Sequence, residues 1–205
     1  IVLNELDALA NIDFATRTEK DEHRTLEIVR IGTCGGMQED IPLGTFLVSE
    51  KSIGWDGVLA FYEGRDEIAD LGFENALVDF IHYPAKAARP YVVAANPELV
   101  NRIAGDDMMR GCTIAANGFY GPQGRVLRCD LAVKDINERI TDFRYEEQRI
   151  TNYEMEGSAI AGLSLLMGHK AMTVCCVIAQ RKVEAANTDY KPRIKQLVQT
   201  VLERI

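Results

Sequence analysis

Metal-binding and disulfide patterns are missing from this chain. Its three histidines, His23, His82 and His169, stand at no ligand-type or triad-type spacing, so each reads as a surface or loop residue. The five cysteines, Cys34, Cys112, Cys129, Cys175 and Cys176, are odd in number and contain no CxxC pair. That argues against a disulfide framework and a zinc site, and it fits a reducing compartment. Positive charge is scarce as well: 23 Lys and Arg stand against 31 Asp and Glu, a net charge of -8. Duplex nucleic acid, held mainly through surplus Lys and Arg, is therefore a poor partner, and an anionic substrate would need a local arginine cluster. No apolar run reaches the length of a membrane span and no charged-then-apolar leader is seen, so no membrane partner and a cytoplasmic location are expected.

What is present is the composition of one globular domain, 47% hydrophobic and 26% charged over 205 residues. Residues 1–9 have helical spacing with no start signal ahead of them, which predicts that an N-terminal part of the fold precedes them. Residues 26–31 read as a buried strand running into a glycine-rich loop, Gly32-Thr33-Cys34-Gly35-Gly36. Further strands are expected at 45–49, 112–116 and 172–178. Helices are expected at 98–104, capped by Asn96 and Pro97, at 133–143, after Glu156, and at 192–202. Gly168 separates the apolar helix from the last strand. Strands alternating with helices, without repeats or linkers, predict a single α/β domain over 1–205.

Ligands of such sheets gather at strand carboxyl ends, and three of these ends carry unusual chemistry. Arg30 and the glycine run could meet an anion, with Thr33 adding a hydroxyl, although a tight turn explains the glycines equally well. The run lacks GK[ST] and GxGxxG, which argues against nucleoside triphosphates and dinucleotides. Phe119, Gln123 and Arg125 could stack on a planar heterocycle and read its edge, or form an ordinary packed surface loop. In Asn152-Tyr153-Glu154-Met155-Glu156-Gly157-Ser158, a carboxylate could accept hydrogen bonds from a ribose diol. The same acids could serve only as helix-start charges, worth about 0.3–1 kcal/mol, beside a core methionine.

Asn-Tyr-Glu-Met-Glu, the Val29-Arg30-Ile31-Gly32-Thr33 run, and Phe119-Tyr120 followed by Gln123 and Arg125 resemble the nucleoside phosphorylase-I family, in particular its uridine-specific branch. The resemblance implies a three-layer αβα phosphorylase/hydrolase-like fold with a central mixed β-sheet, of which this chain holds the C-terminal majority. It implies a pentosyltransferase that cleaves uridine reversibly with phosphate, giving uracil and α-D-ribose 1-phosphate. Inorganic phosphate is then the co-substrate, with no metal or organic cofactor. Carried over by residue, Arg30, Gly32 and Thr33 hold phosphate, and Thr33, Glu154, Met155 and Glu156 lie at the ribose. Phe119, Gln123, Arg125, Ile178 and Ala179 hold the base, with Arg181 near its rim. Arg30, Thr33 and Glu156 take the catalytic roles. A homodimer, or a hexamer built from dimers with shared sites, is the implied assembly.

The purine branch carries a Ser-Asp pair where this chain has Val177-Ile178-Ala179-Gln180-Arg181. Cys34 and Gly36 also depart from bacterial uridine-specific members, which commonly show Thr-Gly-Ala after the first Thr. A purine phosphorylase, a water-using nucleosidase and a non-catalytic nucleoside-binding module remain as alternatives.

Overall fold

Branched and aromatic residues, which fit a pleated half-buried surface, fill most of the segments that become strands in the computed structural model. The structure describes residues 1–181 and 185–205. Its strands are β1 (Ile12–Asp13), β2 (Thr18–Glu19), β3 (Glu27–Gly36), β4 (Phe46–Gly54), β5 (Tyr91–Ala94), β6 (Met108–Ala115), β7 (Arg144–Tyr145), β8 (Gln148–Glu154), β9 (Lys170–Gln180) and β10 (Ala185–Ala186). The helices are α1 (Val2–Asn11), α2 (Arg65–Ile68), α3 (Leu71–Ile81), α4 (Pro97–Ile103), α5 (Ile136–Asp142), α6 (Gly157–Leu166) and α7 (Lys191–Arg204). None is long and apolar enough to cross a membrane among the described residues.

The central sheet is mixed, as expected, and runs β10-β9-β3-β8-β6-β4-β5, with β7 attached to β8. In addition β9 pairs antiparallel with β4, through Phe46 opposite Cys176 and Val48 opposite Val174. This closes β9, β3, β8, β6 and β4 into a ring. Cys34, Leu47, Cys175 and Val177, with Met109, cluster together although they come from different strands of it. Helices cover the sheet in separate clusters. Phe73, Leu77, Ile140 and Phe143 of the α3–α5 region pack with Ile53, Ile114 and Ile150. Leu99, Ile103, Leu197 and Val201 from α4 and α7 pack with Phe46, Met172 and Val174.

Helix ends follow the sequence signals. Asn96 Oδ1 accepts the Leu99 amide at 3.1 Å, a cap worth about 1 kcal/mol. Gly168 adopts the left-handed φ of 73° that ends the apolar helix. In α6 the buried face is built from Ser158, Ala161, Gly162 and Ser164 as well as Leu163. Small residues of this kind let a helix lie close to its neighbours.

Three expectations need correction. The glycine-rich run is strand rather than loop: β3 continues parallel to β9 as far as Gly36 opposite Gln180, shifting register only between Cys34 and Gly35. Its end also pairs with β8, Gly35 opposite Tyr153 and Gly36 opposite Asn152. Neighbours on both sides supply hydrogen bonds that a turn would have made internally. The glycines instead make space, since a Cβ on Gly32 would meet Arg30 Nη1 at 2.8 Å. The second correction concerns His169, which is buried. Its Nδ1 accepts the Leu26 amide at 3.2 Å, leaving Nε2 to donate to Asp7 at 3.0 Å, so it ties α1 to the start of β3. Third, residues 152–154, read as part of the lead into a helix, belong to β8.

Gly54 shows how tightly the sheet edge is built. It lies opposite Tyr91, and a Cβ there would come within 2.1 Å of the ring. Gly54→Ala is expected to cost about 1–3 kcal/mol by overpacking in a denaturant titration. Gly121→Ala, which meets nothing within 4 Å, should change stability by less than about 0.5 kcal/mol. Equal midpoints for the two variants would contradict the close-approach argument.

Candidate active site

The carboxyl ends of β3, β8 and β9, together with the 117–125 segment that follows β6, enclose a cleft of about 250 Å³. β3 contributes Arg30, Thr33, Cys34 and Gly35, and β9 contributes Ile178 and Ala179. Phe119, Gln123 and Arg125 form a second wall, and Tyr153 to Glu156 a third. The site candidates named from the sequence line this cleft except Arg181, which reaches it through Gln123, and Gly32. Gly32 lies beneath the Arg30 guanidinium, where absence of a side chain lets the cation fold back over the strand.

At one end the charges are paired. Arg30 Nη1 stands 3.0 Å from Glu154 Oε2 and Nη2 contacts Glu156 Oε2, while Nη1 also donates to Cys175 Sγ at 3.3 Å. The two carboxylates differ sharply in environment: the Glu154 side chain is 1% exposed and that of Glu156 is 58% exposed. Glu154 closes β8 and turns its oxygens onto the first amides of α6, accepting from Glu156 N at 2.9 Å and Gly157 N at 2.8 Å. The helix-start role of this acid is thus realised beside its pairing with Arg30. Burial pushes the Glu154 carboxyl up from its ordinary range, opposed by Arg30 and by those amides. For Arg30, burial works against the charge, but Cys175, Glu154 and Glu156 outweigh it and hold the guanidinium above its ordinary value. Burial, followed by a hydrogen bond to Cys175, raises the Cys34 thiol well above its ordinary value.

The other end is cationic. Gln123 is buried, and its Oε1 accepts from Arg125 Nη1 at 2.7 Å and from Arg181 Nη2. Two guanidinium donors can pair only with the carbonyl oxygen, which fixes the amide orientation and leaves Nε2 as a donor with no partner among the described residues. Arg181 Nη1 also donates to Gln123 O at 2.9 Å, and its guanidinium carbon lies 4.7 Å from the Tyr153 ring centroid. Arg125 lies 3.8 Å over the Phe119 ring. Neither arginine has a carboxylate partner among the described residues. Burial first, then the neighbouring Arg125 charge, lower Arg181 to about 10. Arg125 is lowered chiefly by burial.

Cys34 and Gly35 of the glycine run and Tyr153 of the Asn-Tyr-Glu-Met-Glu run line the cleft without having been given roles of their own, and Cys175 touches it from behind through Arg30. Tyr153 lies inside the Asn-Tyr-Glu-Met-Glu run, so its position was available to sequence reasoning. Nothing local marks Cys175, which reaches Arg30 only because β9 runs alongside β3 with Gly32 opposite Cys175. Among the described residues no group of three or more His, Cys, Asp or Glu side chains is arranged to hold a metal ion.

A family profile described as Phosphorylase superfamily matches residues 10–204. Uridine phosphorylase A of Schistosoma mansoni is 28% identical over 160 residues, covering 75% of this chain and 47% of the relative. Uridine phosphorylase of Thermococcus kodakarensis is 24% identical over 155 residues, covering 75% and 48%. The chain therefore spans about half the length of the curated relatives it matches. Among solved structures, a Trypanosoma brucei nucleoside phosphorylase described as showing uridine phosphorylase activity superposes with a TM-score of 0.80 at 24% identity, covering 99% of this chain and 76% of that one. That likeness shows the fold.

Two half-buried cations sharing one neutral oxygen should cost stability. Gln123→Glu, which gives both guanidiniums a carboxylate, is expected to raise unfolding stability by on the order of 1–2 kcal/mol. Gln123→Ala removes their acceptor and should lower it by about 1–3 kcal/mol. Chemical denaturation of the two variants checks this; a destabilised glutamate variant would show that the cations are not short of negative charge.

Proposed function

The chain belongs to the phosphorylase superfamily, and from that premise we propose that it acts as a uridine phosphorylase, cleaving uridine reversibly with phosphate to uracil and α-D-ribose 1-phosphate. The observation that carries this reading is the pair of guanidiniums at Gln123 with no carboxylate partner among the described residues. Uracil leaving from a nucleoside takes the bonding electrons and spreads negative charge over its carbonyl oxygens. Donors fixed in place before that charge develops stabilise it without having to reorganise. The free Nε2 of Gln123 and the hydrogens of Arg125 and Arg181 are donors of this kind. Phe119 supplies a face for the ring, and Ile178 and Ala179 supply an apolar wall.

The paired end takes the sugar and phosphate. As the C1′–N1 bond lengthens, the ribose becomes cationic. Glu156 and Met155, with Glu154 supporting them, are placed for the ribose hydroxyls, and Arg30 and Thr33 for phosphate, which attacks C1′ from the face opposite uracil. Glu156 is exposed and occupies Arg30 Nη2. Binding therefore exchanges partners, with Glu156 turning to the ribose hydroxyls and phosphate taking the vacated guanidinium edge. Holding both reactants in this order supplies much of the rate. The run Ile178-Ala179-Gln180-Arg181 offers no acid to protonate a purine, and the Gln180 amide is turned inward, donating to Gln38 O at 2.6 Å and Ile41 O at 2.9 Å.

The assembly is a homodimer or a hexamer of dimers with shared sites. Support comes from an apolar groove formed by α1 and α6, lined by Val2, Leu6 and Ile160 and reaching Met155 and Glu156 at the cleft. The buried free thiols Cys34, Cys112, Cys175 and Cys176 accord with a cytoplasmic location.

The test compares uridine, thymidine and inosine with and without phosphate. Uridine should be cleaved only when phosphate is present and faster than inosine. Arg125→Ala and Gln123→Ala should each lower kcat by roughly 100- to 1,000-fold, the usual effect of deleting one such donor. Undiminished uridine cleavage in both variants would overturn the base assignment. Phosphate-independent cleavage would make the protein a nucleosidase, and uridine binding without turnover a binding module.

A further inference from the structure

Arg30 has five N–H hydrogens, and its surroundings account for particular ones. Nη1 stands 3.0 Å from Glu154 Oε2 and donates to Cys175 Sγ at 3.3 Å, and Nη2 donates to Glu156. When Glu156 turns away, the Nη2 edge is left for an oxygen of an anion. Glu156 is exposed and free to move, so its contact cannot fix this orientation. Glu154 alone leaves the planar group free to pivot about one contact. The second inward contact comes from Cys175, which is fully buried among Ile41, Leu47 and Val177.

We propose that Cys175 is a positioning residue for phosphate: its sulfur pins Arg30 Nη1 inward so that the Nη2 edge of the guanidinium, once Glu156 leaves it, is presented to the co-substrate, an inference that rests on the phosphorolysis reading. A thiol is a weak acceptor. It orients the cation from the buried side, whereas a third carboxylate at this point would compete with phosphate. Gly32 completes the arrangement, because the guanidinium can reach across to β9 only over a residue without a side chain.

The test uses the full chain and Cys175→Ala and Cys175→Ser variants, with initial rates at varied phosphate and varied uridine, and calorimetric titration with inorganic phosphate. Cys175→Ala should raise the phosphate KM and Kd about 3- to 10-fold, the range for one modest hydrogen bond to a charged group. The uridine KM should stay near the wild-type value, and Cys175→Ser, which keeps an acceptor, should recover most of the phosphate affinity. Unchanged phosphate constants in Cys175→Ala would overturn the inference, as would equal shifts in both KM values, which indicate general loosening. If the wild type binds phosphate but does not cleave uridine, the phosphorolysis reading fails and the calorimetric constants alone decide the role of Cys175. If the wild type does not bind phosphate, both fail.

Discussion

The carboxylate of Glu154 is the joint on which the site is built. Its backbone ends β8, its oxygens receive the opening amides of α6, and it faces the guanidinium carried by β3. A buried carboxylate is costly unless its lone pairs are filled. Here two amides at the start of α6 fill them, and the cation opposite comes from β3. The strand that delivers the acid, the helix that starts beyond it and the cation opposite are therefore fixed relative to one another by one group. Met155 and Glu156 lie between the joint and the helix, so their exposure to the cleft follows from that geometry.

Charge is segregated across the cleft. The Arg30 end holds one cation against two acids, whereas the Gln123 end holds two cations against a neutral amide. Stability alone would favour a carboxylate at position 123, and the fold tolerates the strain because Arg125 and Arg181 also stack on Phe119 and Tyr153. Such stacking contributes about 0.5–2 kcal/mol per contact, enough to hold cations in place without neutralising them. A local rule broken in this way is expected at a functional site, where positive potential is useful only if left unspent.

Much of this architecture was legible in the chain because local chemistry agreed with the outcome. Asn96 with Pro97 marks a helix start, Gly168 a helix end, and the branched runs mark β3 and β9. The cleft candidates were visible because a motif of two acids around a methionine is rare enough to name a family. What escaped was set by tertiary pairing. Nothing within Gly32 to Gly36 tells whether its amides will close on themselves or be taken up by neighbouring strands. His169 looked like an isolated polar residue until Asp7, far away in sequence, came to meet it. Arg181 stood in plain sight, yet its weight depends on sharing an oxygen with Arg125, which only the folded chain reveals.

The strand character of the glycine run also changes how an anion can be held. In a phosphate loop the backbone amides converge on the ligand and side chains are secondary. Here β9 follows β3 along its full length and β8 joins at Gly35 and Gly36, so the run cannot wrap around a ligand as such a loop does. On the proposed function the burden would pass to side chains of β3, to Arg30 and the Thr33 hydroxyl. Anion recognition would then depend on how firmly one guanidinium is oriented, and Arg30 meets residues of β8 and β9. The glycines would serve the anion indirectly, by letting the cation cross the strand that carries it.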